Sequence, residues 1–299
     1  MGQAWAALEP VGRIRTMLLA TLLALASGAW LLTGDRMAGM DAGPGTDPGT
    51  LGFFAISWVV MMAAMMFPSI APMVLVFASI QSRRRDSGRA AVSPALFIAG
   101  YILVWTAFGF AAYGLYVGAR GLPIDALAWD RAGRWLAAGV IAAAALYQLT
   151  PAKDACLRRC RGPLQFLTER WRDGRAGALR MVFEHGGWCV GCCWGLMATL
   201  FALGVMSLVW MVIVAGLIAV EKMLPVKAVA NRFVTAVLAT LALAVALVPG
   251  ETPALTQPGS PAAREAEMRM MGPGQRDGGA MDSKRPMHHP DAMAPRDER

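Results

Sequence analysis

An all-α, polytopic transmembrane bundle of about seven helices, with six as the alternative count, is the fold class this sequence predicts. Three observations carry it. Of 299 residues, 56% are hydrophobic and only 16% charged, a balance suited to lipid and not to a water-exposed surface. Apolar runs long enough to cross a hydrocarbon core of roughly 30 Å recur along the chain, each needing about 17 to 25 residues as a helix. Backbone groups in lipid must bond within their own segment, which makes these runs helices. Finally, the composition changes abruptly after Pro249 to Pro, Gly, Ala, Arg and Met. That divides the chain into a helical domain over 1–250 and a tail over 251–299, expected to be disordered because it cannot build a core.

The first run, from about Ile14 to Leu32, follows Arg13 and Arg15. No A-x-A-like cleavage site follows it, so it reads as a retained anchor. Further spans run from about Leu51 to Ile80, Ser93 to Ala119 and Gly133 to Leu149. As one helix, the 37 residues from Trp188 to Leu224 would extend ~55 Å, overshooting the bilayer. A break near 204–207 divides them into two short spans, or a re-entrant pair if the count is six. The last span covers about Phe233 to Val248.

Lysine and arginine orient the bundle, because cytoplasmic loops carry their excess. With the N-terminus inside, the inner segments hold seventeen and the outer loops four. The tail then lies on the periplasmic side of a bacterial inner membrane. These loops also account for the net charge of +8, so nucleic acid is not an expected partner.

The residues able to do chemistry are soft. Cys189, Cys192 and Cys193 in GGWCVGCCWGLM are spaced i, i+3, i+4 and share a helix face. His185 extends that face only if the helix starts before Gly186 and Gly187. Cys156 and Cys160, in TPAKDACLRRCRGP, form a second pair on one face, beside arginines that favour the thiolate. Both groups are expected near the cytoplasmic membrane face, where thiols stay reduced. Thiolates select copper(I), zinc or iron–sulfur clusters. In the second span, MMAAMMFPSIAP places Met61 with Met65 and Met62 with Met66 at i, i+4. Thioethers suit copper(I) and few other ions, although methionine also fills apolar space. Pro68 and Pro72 each remove a backbone donor, and the helix is expected to break beside these methionines. Glu221 and Lys222, at the end of the sixth span, either meet interfacial water or face the bundle. The tail adds Met268, Met270, Met271, Met281, Met287, His288, His289 and Met293, a composition suited to capturing periplasmic copper.

The candidate metal ligands are therefore Cys189, Cys192, Cys193, Cys156, Cys160, Met62, Met65, Met66 and His185, with copper(I) the expected ion and zinc the alternative. No Walker loop, dinucleotide fingerprint, HExxH, GxSxG or CxxCH motif is present.

Over residues 51–225 the chain resembles a bacterial family of predicted metal-binding integral membrane proteins, a domain of unknown function whose members are sometimes labelled copper chaperones. The resemblance lies in MMAAMMFPSIAP, in YQLTPAKDACLRRCRGP and in CVGCCWGLMATLFALGVMSLVWMVIVAGLIAVEKMLP. The family pattern has Leu where Ala152 stands. The expected function is non-enzymatic: copper(I) binding in metal delivery, copper-enzyme assembly or transport. Its expected partners are the bilayer, a copper enzyme or a periplasmic copper-binding protein, and further subunits in a homo- or hetero-oligomer. Two other readings stay open. One is a membrane thiol–disulfide oxidoreductase using Cys189 with Cys192 and Cys156 with Cys160; the other is a structural subunit of a membrane complex.

Overall fold

The computed structural model describes residues 2–120, 129–224 and 226–270, and among them every regular element is helical. Helix α1 covers Gly2–Met37, α2 Leu51–Asp86 and α3 Pro94–Arg120. A π-helical turn at Trp129–Gly133 leads into α4, Arg134–Tyr147. Helices α5 (Pro151–Arg161) and α6 (Pro163–Arg170) are short, α7 spans Gly174–Leu203, α8 Leu208–Met223, α9 Lys227–Leu247 and α10 Pro261–Met270. Among the described residues, five stretches are long and apolar enough to cross a membrane: Gly12–Met37, Leu51–Asp86, Pro94–Ala119, Gly174–Leu203 and Ala228–Leu247. The segment Trp129–Tyr147 joined to Pro151–Arg161 makes a sixth, bent by 68°. Helix α8 has 16 residues, about 24 Å at 1.5 Å per residue, and does not meet the length of a span.

The chain breaks between α7 and α8 where the length argument requires it. Gly204 has φ +122°, a conformation closed to side chains with a Cβ, and its own N–H closes the last turn on the Leu200 carbonyl. At its other end α7 starts well before Trp188. Its first turns carry charge, and Glu184 accepts from Arg180 one turn earlier at 3.3 Å. Gly186 and Gly187 do not interrupt it, so His185 is helical and shares the cysteine face.

The expected break in α2 does not occur. The helix runs through both Pro68 and Pro72, as prolines in buried apolar helices do when neighbouring groups satisfy the freed carbonyls. The tail also differs from expectation over its first part. Pro249–Glu251 forms a 3-10 turn and α10 seats Ala263 and Ala266 against Ala42. Met271, Met281, Met287, His288, His289 and Met293 lie outside the described residues, as does Pro225.

Two ends are distinguishable. At the arginine-rich end Arg84 pairs with Asp173 at 2.8 Å and lies over the Trp171 ring, and Arg161 donates to the Leu224 carbonyl. At the opposite end the loop 38–50 meets the α7–α8 turn, where a Cβ on Gly204 would lie 3.1 Å from the Gly43 backbone. Tyr116 donates to the Gly45 carbonyl there at 2.6 Å. Between the ends, large apolar side chains face outward, Leu31 and Leu115 each 77% exposed, a surface suited to hydrocarbon.

Helices α3 and α7 cross at reciprocal glycines. A Cβ on Gly100 would come within 2.5 Å of Val182, and one on Gly186 within 3.0 Å of Val104. Small residues at such a crossing let two backbones approach closely. Gly100→Ala should therefore cost about 1–3 kcal/mol by overpacking. Gly139→Ala, whose Cβ meets open space, should lower the melting temperature of the detergent-solubilised protein little if at all.

Candidate metal centre

The crossing of α3 and α7 brings Tyr101 against the cysteine face. Cys189, Cys192 and Cys193 are all buried, at most 1% exposed, and the Tyr101 hydroxyl lies 3.0 Å from Cys189 Sγ. Helix α5 reaches the same place from the arginine-rich end. Thr150 caps it, accepting from the Lys153 N–H at 3.2 Å, and Pro151 occupies its first turn, where a missing donor has no cost. The bend after α4 then lays α5 along α7. As a result Cys160, Cys189 and Cys192 place their sulfurs within 4.8 Å of one another. Cys193 Sγ stands 3.3 Å from Cys192 Sγ, adding a fourth thiol at the edge of the group. All five cysteines are free.

The expected ligands separate on this geometry. Cys156 shares a face with Cys160, yet it packs on the backbone of α7 elsewhere: a Cβ on Gly191 would lie 2.8 Å from its sulfur. It is not in the three-sulfur group. His185 is buried but sits among the rings of Phe97, Tyr101 and Phe166, with centroids 5.4 to 6.3 Å away. Its Nδ1 has no hydrogen-bond partner, and it too stands apart from the group. Met62, Met65 and Met66 are buried on α2, at most 5% exposed. Ser69 shares their face at i+7, i+4 and i+3. Lys222 links that face to the thiols, donating to Ser69 Oγ at 2.5 Å and to Cys189 Sγ at 3.1 Å.

Beneath the thiols lies a buried ion pair. Lys153 Nζ is 2.7 Å from Glu221 Oε2, each side chain 1% exposed, and the same ammonium donates to the Cys192 carbonyl. Glu221 thus faces the bundle and not interfacial water. One lysine ties α5 to both α7 and α8. Lys153 counts in the sequence as a loop cation, but it precedes Cys156, Leu157 and Cys160 by three, four and seven residues, and this helical face is the signal that marks it. Tyr101 carries no comparable signal, because nothing in its own stretch of α3 sets it apart.

Three thiols held together by two helices can take a soft cation. At the roughly 2.3 Å metal–sulfur distance of thiolate sites, three sulfurs around one ion lie roughly 4 Å apart, within the observed spacing. Among the described residues the donor set is sulfur only and contains neither carboxylate nor histidine.

Fold and site together define a class: a helical protein with several helices of membrane-crossing length and a buried cluster of cysteines at metal-binding spacing. The chain belongs to the PpoB2 family, described as a copper chaperone, which matches residues 55–245. The resemblance read from the motifs at 51–225 is borne out, and the match continues through most of α9. No curated protein and no solved structure matches the chain.

Proposed function

We propose that the protein is a membrane-embedded copper(I)-binding protein that holds the ion on Cys160, Cys189 and Cys192 and delivers it to a copper enzyme or another copper-binding partner. The observation that carries this reading is the convergence of three sulfurs from two helices within 4.8 Å at a buried position. Cys193 and the stripe Met62, Met65 and Met66 are neighbouring soft donors; Cys156 and His185 support the site from outside it. Copper(I) is preferred to zinc because three thiols without a carboxylate or histidine suit a soft ion, and the buried methionines of α2, reached through Lys222, are donors that bind zinc poorly. In this reading the N-terminus and the arginine-rich end lie in the cytoplasm of a bacterial inner membrane and the tail in the periplasm, the short α8 returning the chain from the α7–α8 turn to the arginine-rich end. The lysine and arginine asymmetry supports that orientation.

A thiol–disulfide exchange role fits less well. Exchange requires a partner thiolate to approach a sulfur directly, and the three cysteines of α7 are at most 1% exposed. The test is elemental analysis of anaerobically purified protein, offered copper(I), beside a Cys160→Ser/Cys189→Ser/Cys192→Ser variant. About one copper per chain is expected in the parent and none in the variant. A parent that takes up no copper overturns the reading.

A further inference from the structure

Three helices meet at the Lys222 bonds, and those bonds fix which face of each is turned inward. Ser69 of α2 and Cys189 of α7 both accept from Lys222 of α8. Following each inward face away from the arginine-rich end leads to methionine every time. On α2, Met66 lies one turn from Ser69 and Met62 two turns. On α7, Met197 lies one turn beyond Cys193. On α8, Met211 lies eleven residues before Lys222, a rotation of about 20° at 3.6 residues per turn. All four are fully buried, at 0% exposure. At 1.5 Å per residue they stand about 5, 10, 12 and 16 Å beyond the Lys222 junction, so successive thioethers lie no more than about 6 Å apart along the axis.

Buried methionines also stand towards the arginine-rich end, Met73 one turn beyond Ser69 and Met181 eight residues before Cys189. The buried Lys153–Glu221 pair lies beside the thiols, its ammonium on the Cys192 carbonyl. Towards the opposite end there are thioethers, and the α7–α8 turn carries a further buried methionine, Met206, 2% exposed.

We propose that Met211, Met197, Met62 and Met66 form a lane of thioethers through which copper(I) passes between the end carrying the 38–50 loop and the thiol cluster. The inference rests on copper(I) being the ion that the thiols hold, and it adds a route to them from that end. No open pore is needed. Methionine has three rotatable bonds and a polarisable sulfur, so the ion moves by exchange of one weak thioether for the next. Its charge and oxidation state are unchanged, and no electron donor or acceptor takes part. The thiols, stronger ligands than the thioethers, end the path.

The test uses Met197→Leu/Met211→Leu in the full chain, reconstituted in sealed vesicles. Leucine keeps the volume and apolarity and removes only the sulfur, so a pair of methionines that merely pack would tolerate it. Copper(I) is presented anaerobically as its acetonitrile complex, and the thiolate-to-copper absorbance is followed after rapid mixing. Final amplitude should match the parent, with loading slowed at least about fivefold. A smaller slowing at full amplitude overturns the lane while leaving copper binding intact. Absence of the absorbance in the parent overturns both. Loading should also be faster from the face carrying the 38–50 loop than from the arginine-rich face of inverted vesicles; equal or reversed rates refute the route from that end.

Discussion

Cys160→Ser should lower copper(I) affinity by at least about 100-fold, ~2.7 kcal/mol, while Cys156→Ser should change it by less than about threefold. The two cysteines lie one turn apart on one short helix, carry similar neighbours and would be indistinguishable by any local criterion. What separates them is the crossing of α5 over α7. Cys160 meets the sulfurs of Cys189 and Cys192, whereas Cys156 meets the backbone at Gly191, where the neighbouring side chain is Tyr147 and no second sulfur stands. Removing a thiolate from a three-sulfur set leaves an ion with two strong ligands; removing one outside the set leaves it whole. Competition with a copper(I)-selective chromophoric chelator reads both affinities on one scale. Equal losses for the two variants would mean that α5 sits differently on α7 and that the three-sulfur group is misassigned.

That contrast also shows what the sequence could and could not disclose. The break at Gly204 is legible, because a helix of 37 residues through Trp188–Leu224 would exceed any bilayer and a glycine stands near its middle. The shared face of Cys189, Cys192 and Cys193 followed from helical spacing alone. So did the pairing of Cys156 with Cys160, but spacing stops at the surface of a helix and does not say which residue of a face meets a partner. Lys153 illustrates the same limit from the other side. Counting it among the positive loop residues was sound as an argument about orientation, yet its ammonium is drawn inward because Glu221 approaches it from α8, 68 residues away. Prolines misled for a related reason. Pro68 and Pro72 weaken α2 as an isolated helix, but α2 is not isolated: Met62, Met66, Val74 and Phe77 on either side of the prolines are wholly buried, and tertiary packing holds the helix through them.

The ion pair beneath the thiols should prove the most sensitive point in the fold. Lys153→Met removes one charge and strands the Glu221 carboxylate in a position 1% exposed. Breaking a buried pair in this way typically costs about 3–5 kcal/mol, because the remaining charge has neither water nor partner. Replacing both members by apolar residues leaves no stranded charge, so Lys153→Met/Glu221→Leu should recover most of that stability. Copper(I) affinity should not recover with it. Lys153 also donates to the Cys192 carbonyl, and this bond ties the α5 backbone, hence Cys160, to the part of α7 that carries the other two thiols. A protein with the double substitution should therefore melt close to the parent temperature in detergent and still bind copper(I) at least about tenfold more weakly, ~1.4 kcal/mol. The two readouts test separate links. If the single and double variants are equally stable, the pair contributes little to folding. If the double variant is stable and binds copper(I) as the parent does, the position of Cys160 is set by the packing of α5 alone and Lys153 serves only to neutralise Glu221.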